Sequence, residues 1–159
     1  MRAGYLIPAM VGLCLALAGC SDPSGETAAP AADTAPAAPA VPVPTLADLP
    51  SPWNEADLAA GAGQFAKCKS CHSLKAPEGN LVGPNLHGVF ERGPGKAPKF
   101  RYSEAVKNAP FEQWTPELVD QWLQKPSGFL PGNAMFFNGI TKPNMRRDLI
   151  AYLLIETRK

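Results

Sequence analysis

Cys68, Cys71 and His72 fall within five consecutive residues, Cys68-Lys69-Ser70-Cys71-His72, in a chain that holds only two histidines. Two cysteines three positions apart lie on one side of a helical turn, so both sulfurs can reach one planar group. The residue after them projects an imidazole under that group. This Cys-x-x-Cys-His order is the signature of c-type haem attachment. It supplies two thioethers to the porphyrin vinyl groups and, from His72, a nitrogen for the iron. Three other chemistries use a cysteine pair. A zinc site needs a second ligand pair, and the folded part of the chain offers no further cysteine and only His87 besides. A thioredoxin-type redox pair belongs in a βαβ context, which this sequence lacks. A structural disulfide leaves His72 unexplained.

The opposite face of such an iron has three candidates beyond the N-terminal leader: His87, Met135 and Met145. Met145 stands among charged neighbours and reads as a packing or surface residue. Met135 follows Pro131-Gly132-Asn133-Ala134, a loop that can aim a side chain at a fixed point. Core filling is its plain alternative. His87 lies fifteen residues after His72, in the stretch GPNLHG.

The elements that must position these residues read as helices and long loops. Asn54, with Asp57 three residues on, caps a helix expected over residues 55–67, where Leu58, Ala62 and Phe65 share a face. Residues 73–101 are rich in Gly, Pro and Asn and read as ordered loop. Ser103 caps a short helix over residues 104–108. Thr115-Pro116-Glu117 is a helix start with a cap, a proline at the first position and an acid in the first turn. That helix stops near Lys125. A last helix is expected over residues 143–157, with Leu149, Ile150, Leu153 and Leu154 on its apolar face. No run alternates with period two, so the fold class is all-α with four to five helices. Loops this long argue against a core of aliphatic side chains alone. A large apolar cofactor in the middle resolves the conflict.

Composition places the remaining residues. Proline and glycine make up about a fifth of the 159 residues, and net charge is only +1, which gives nucleic acid no electrostatic footing. The chain begins MRAGYLIPAMVGLCLALAGC, an Arg followed by an apolar run that suits the core of an export signal. Leu17-Ala18-Gly19-Cys20 resembles a bacterial lipobox, which makes residues 1–19 a signal and Cys20 a lipidation site. An uncleaved anchor helix and plain cleavage without lipid are the alternatives, and every version exports the domain. Residues 20–51 are mostly Ala, Pro and small polar side chains that cannot bury enough surface to fold. They read as a semi-stiff tether with a reach of about 90 Å at most. The expected domain is residues 52–159. It carries fourteen Lys and Arg against ten Asp and Glu, because four of the chain's acids lie before it.

From about Gly61 onward the chain resembles class I cytochromes c of the mitochondrial and bacterial c2 type. The resemblance rests on the attachment motif, GPNLHGVF, APKFRYSEAVKN, WTPELVDQWLQKP, FLPGNAMFFNGI and RRDLIAYL, in the family's order and spacing. It implies the cytochrome c fold around one covalent haem c, with His72 and Met135 as axial ligands. It also implies that the Pro84 carbonyl accepts the His72 ring N–H. Arg92, Tyr102 and Trp114 then line the propionate side, and Trp122 stands near the Met ligand where the family usually has Tyr. Gly61 and Phe65 would pack on Leu149 and Tyr152. His87 is then a surface or loop-bracing residue.

Two departures fall on one polar network: Val106 replaces a common Asn, and Asn133 stands where a Thr usually bonds the Tyr replaced by Trp122. Lys67, Lys69, Lys125 and Lys142 survive from the family's lysine ring, while Ser127, Gly128 and Ala134 occupy places where lysine is frequent. The function implied is a monomeric one-electron carrier, not an enzyme. It would be tethered on the periplasmic side of a bacterial cell membrane, between a quinol–cytochrome c oxidoreductase and a terminal oxidase or reductase. The rival readings are a peroxidase-like enzyme and a haem sensor, each with a displaceable Met135.

Overall fold

The first helix begins at Asp57. In a computed structural model of the chain, which describes residues 42–159, the Asp57 carboxylate accepts from the N–H groups of Ala59 (2.9 Å) and Ala60 (3.0 Å). Helix α1 then spans Leu58–Phe65. The sequence pointed to a cap at Asn54 and a start at residue 55. Instead Trp53–Glu55 form a 3-10 turn with Trp53 buried. Burying an aromatic side chain contributes about 1.5–3 kcal/mol, against about 1 kcal/mol for a cap, so the indole decides the local structure.

The tether also ends sooner than the composition suggested. Thr45 donates to the Asp48 carboxylate from its N–H (2.8 Å) and its hydroxyl (2.7 Å), closing a 3-10 turn over Leu46–Asp48. Leu49 is buried in the same apolar cluster as Trp53 and Ala56. Residues 46–51 thus belong to the packed domain. The expectations for the leader at residues 1–19, for Cys20 and for residues 20–41 of the tether lie outside the described residues.

Four more helices follow: α2 over Glu104–Lys107, α3 over Pro116–Gln124, α4 over Pro126–Phe129 and α5 over Pro143–Glu156. Among the described residues there is no strand, as an all-α cytochrome c fold requires. Thr115 caps α3 by accepting from Leu118 N–H at 3.3 Å. Ser103 precedes α2 without capping it. The short α4, started by Pro126, is an element that the sequence reading missed. No helix among the described residues is long and apolar enough to cross a membrane.

Helices α1 and α5 cross where Gly61 has no side chain. A Cβ there would lie 2.2 Å from the Asp148 carbonyl oxygen and 2.8 Å from Tyr152 Cβ. Beside that contact the Phe65 and Tyr152 rings pack at 5.9 Å. Leu149, Ile150 and Ala151 are fully buried in the cluster that α5 shares with α3 and the N-terminal turns. Arg146, also buried, grips the Asp120 carboxylate with Nε (2.8 Å) and an Nη (3.2 Å), and donates to the carbonyls of Ile140 (2.9 Å) and Thr141 (3.0 Å). This ties α3 and α5 to the segment that returns from the Met135 loop. Breaking one partner would leave a buried charge uncompensated.

Gly61→Ala is expected to destabilise the holoprotein by about 3 kcal/mol, the upper end of the usual overpacking range, because the obstacle is backbone. Gly63, two residues away, has nothing within 4 Å of its Cβ position. Gly63→Ala is therefore expected to stabilise by about 0.5–1 kcal/mol through helix propensity. Guanidinium melts of the two variants against the parent protein check both signs.

Candidate functional site

Backbone hydrogen bonds from Cys71 and His72 to the Cys68 carbonyl (3.0 and 2.9 Å) curl residues 68–72 into a turn directly after α1. Both cysteines are free thiols and half-buried. They line a cavity of about 380 Å³, together with His72, Pro84, Arg92, Tyr102, Trp114, Trp122 and Met135. All nine residues that the sequence assigned to the site of a haem are thus brought to one space. The lining is dominated by apolar side chains from α1, α2, α3, α5 and the loops. His87 and Met145 do not line it. Among the described residues, no three His, Cys, Asp or Glu side chains converge as a metal-holding group.

The His72 ring is fixed from two sides. Its Nδ1 lies 2.8 Å from the Pro84 carbonyl oxygen, and a carbonyl can only accept, so Nδ1 carries the proton. Burial lowers the pKa of this imidazole, with the Pro84 bond opposing in part. The neutral form, with its proton on Nδ1, leaves Nε2 a free lone pair for a metal. Gly83 presses on the ring: a Cβ there would lie 2.4 Å from His72 Cε1. The Gly83 N–H in turn donates to the Cys71 carbonyl at 2.8 Å, joining this loop to the cysteine turn. Burial also raises the Cys68 thiol pKa.

Asn85 builds the loop that carries Gly83 and Pro84. Its side-chain amide donates to Ser73 Oγ (2.8 Å) and to the carbonyls of Lys75 (2.9 Å) and Glu78 (2.6 Å). Its Oδ1 accepts from His87 N–H at 2.7 Å. Arg92 adds guanidinium bonds to the carbonyls of His87 (2.5 Å) and Asn85. His87 thus serves the loop through its backbone.

The far wall is aromatic. Trp114 meets Trp122 edge to face at 5.6 Å, and Trp122 meets Phe129 likewise at 6.2 Å. Tyr102 packs edge-on against Phe100 at 4.8 Å, and burial raises its phenol pKa, with Arg92 nearby opposing. Val106, buried, continues this apolar wall where a polar side chain is common in the resembling family.

Met135 owes its place to Asn133. The Asn133 amide donates to the carbonyls of Pro126 (2.9 Å) and Leu130 (2.8 Å), and its Oδ1 accepts from Met135 N–H at 2.9 Å. Asn133 spends its side chain on the Met135 loop itself, not on a link to residue 122. Sequence reasoning marked the position as altered but did not foresee this role. It also missed Ser103. That hydroxyl is buried, lines the cavity and has no hydrogen-bond partner. Reading Ser103 as a helix cap hid it; the only signal was its place beside Tyr102.

An apolar space of this size, two thiols, an oriented imidazole, a thioether and one orphaned hydroxyl together fit a covalent haem with two axial ligands. No protein-family model matches the chain. Its relatives are clear nonetheless. A cytochrome c of Cochliobolus lunatus is 39% identical over 107 residues, which cover 67% of this chain and 98% of the relative. A cytochrome c2 of Agrobacterium tumefaciens is 40% identical over 102 residues, covering 63% of this chain and 92% of that protein. Among solved structures, cytochrome cH from Methylobacterium extorquens is similar with a TM-score of 0.56 and 41% identity, covering 61% of this chain and 96% of its own.

Asn133→Ala removes two carbonyl partners and the Met135 amide's acceptor. It is expected to cost about 2–3 kcal/mol of stability and to speed hydrogen exchange at the Met135 amide. Exchange followed by NMR, with Asn85 amides as the internal reference, checks that the loss is local.

Proposed function

The chain belongs to the class I cytochrome c family, an electron-carrier family with one covalent haem c, and from that premise we propose that it carries single electrons on a membrane tether. The haem supplies an iron that cycles between two oxidation states. The protein's part is to hold that iron so that little else moves. Cys68 and Cys71 would form the two thioethers, and His72 and Met135 would be the residues that hold the iron. Pro84 fixes the His72 tautomer, and Asn133 fixes the Met135 backbone. A thioether ligand favours the reduced state and raises the potential. With His72 and Met135 both on the iron, no place would be left for oxygen or peroxide to bind. The observation that carries the reading is the His72–Pro84 bond at 2.8 Å, which frees Nε2 in a cavity that Met135 also lines.

The tether reading rests on composition. An apolar leader ends at Cys20, and an Ala/Pro-rich run follows. With packed structure starting near Thr45, about 25 residues remain as spacer, a reach of about 75 Å when extended at about 3.1 Å per residue. A lipid on Cys20 would keep the domain at the periplasmic face of the cell membrane. There it would meet a quinol–cytochrome c oxidoreductase and a terminal oxidase or reductase. Confinement raises effective concentration. It thus replaces the long-range attraction that a full lysine ring would provide.

Three measurements test this. Mass spectrometry of membrane-extracted protein is expected to find one haem on the peptide bearing Cys68 and Cys71, and a diacylglycerol on Cys20. The oxidised protein is expected to show the sulfur-to-iron charge-transfer band at the red end of its spectrum, and Met135→Ala to abolish it while keeping the haem attached. In solution, raising ionic strength is expected to slow exchange with a protein partner by well under the tenfold or more typical of steered pairs.

A further inference from the structure

Among the described residues, every hydrogen bond that residues 45–56 make closes within the segment itself. Thr45 donates to Asp48, and Ser51 Oγ donates to a Glu55 carboxylate oxygen at 3.2 Å. The N–H groups of Leu49, Trp53 and Ala56 donate to the carbonyls of Leu46, Pro50 and Trp53 (3.2, 2.9 and 3.3 Å). Bonding to the rest of the domain begins abruptly at Asp57. Its N–H donates to Asp148 Oδ1 on α5 at 3.2 Å, and its carbonyl accepts from Gly61 N–H at 2.9 Å.

Apolar contact alone therefore holds the segment down. Leu49, Trp53 and Ala56 are buried in one cluster with Ile150, Leu154 and Ile155 of α5, and the Trp53–Glu55 turn packs on that helix. None of these six residues lines the cofactor cavity, whereas Leu149 and Leu153 of the same helix do. The segment thus closes on α5 without bearing on the cavity. Its hold also has a weak point. Trp53 is only 5% exposed, and its indole Nε1 is buried without a hydrogen-bond partner. An unpaired buried donor has given up its bond to water and gained none in return, which offsets part of what burying the ring contributes.

We infer that residues 45–56 are a releasable strap that sets the length of the tether. The inference rests on the tether reading. With the strap closed, the spacer ends at Thr45. With the strap open, the free chain runs on to Asp57 and gains about 40 Å, at about 3.3–3.6 Å per residue. Asp57 is the stop, because it is bonded to α5 and its carboxylate caps α1. Segments with few bonds to the body they lie on open separately from it, and this one has no hydrogen bond outside itself to break. Burial of Trp53 and Leu49 makes the closed form the resting one. Extension of the tether to its limit opens it. Water then reaches the apolar side chains of α5 that the strap had covered, and this draws the strap back.

The test uses the full-length holoprotein and its variants Trp53→Ala and Trp53→Phe. Hydrogen exchange followed by NMR is expected to show the Leu49, Trp53 and Ala56 amides exchanging at least tenfold faster than those of Cys71 and His72. Trp53→Ala is expected to speed the Leu49 and Ala56 amides further, on the order of a hundredfold, and to leave the Cys71 and His72 amides and the visible spectrum at parent values. Trp53→Phe keeps a ring and removes the unpaired donor, so its Leu49 and Ala56 amides should exchange no faster than in the parent. Magnetic tweezers, with handles on the spacer and after Lys159, are expected to record a reversible first step that releases about 40 Å of chain before the helices open. Trp53→Ala should lack that step. Strap and Cys71 amides that exchange together overturn the inference, as does a single opening step that takes α1 with the strap. So does a Trp53→Ala variant that keeps the first step or alters the visible spectrum, or a Trp53→Phe variant that loosens the strap as much as Trp53→Ala. A parent protein that shows the first step but carries no diacylglycerol on Cys20 removes the tether reading, and with it the role of the released length.

Discussion

The His72 imidazole has one orientation open to it, and the site is built around that restriction. The Pro84 carbonyl claims Nδ1, and Gly83 lies so close that any side chain there would strike the ring. Both contacts come from a loop with no regular structure, so the loop itself has to be rigid. Asn85 makes it so, by serving as donor to three groups and acceptor to a fourth. The same device appears on the other side of the cavity, where Asn133 stitches the Met135 loop to α4. Two asparagines thus do for the loops what helix hydrogen bonding does for α1 and α5.

Much of this could be read from residue types. The cysteine–histidine motif named the chemistry before any fold was considered, because its spacing serves little else. Thr115-Pro116-Glu117 marked the start of α3, and the apolar stripe at Leu149, Ile150, Leu153 and Leu154 marked α5. The misses have a common physical cause. Asn54 looked like a cap, and burial of Trp53 overrode it. Residues 46–51 looked like spacer, because one buried leucine among prolines and small residues carries no periodic signal. Ser103 and Asn133 have ordinary capping and turn chemistry in sequence; only tertiary neighbours reveal what their polar atoms do. A partner seven residues away, as Pro126 is for Asn133, leaves no trace in local spacing.

The three departures from the resembling family around the cavity run in one direction. Val106 and Trp122 place an aliphatic and an aromatic side chain in the cavity wall, and Asn133 spends its amide on the Met135 loop. At the mouth of the cavity, Val82 and Phe136 stand exposed, so its rim is apolar too. A drier interior disfavours the more highly charged oxidation state of a buried centre. A drier rim gives up attraction at a distance and keeps contact energy at close range. Both would suit a carrier that the proposed tether keeps near its partners.

The cavity sits between α1, α2, α3 and α5, where a self-sufficient domain would have its core. The loops at residues 73–101 rest partly on the apolar cluster, through Leu74, Leu86, Val89 and Phe90, and partly on the cavity itself. Until the cavity is filled, the side chains that line it face water, and the burial that a core would give is forgone. A covalent group would fill that space for good, so attachment and tight packing would come as one step.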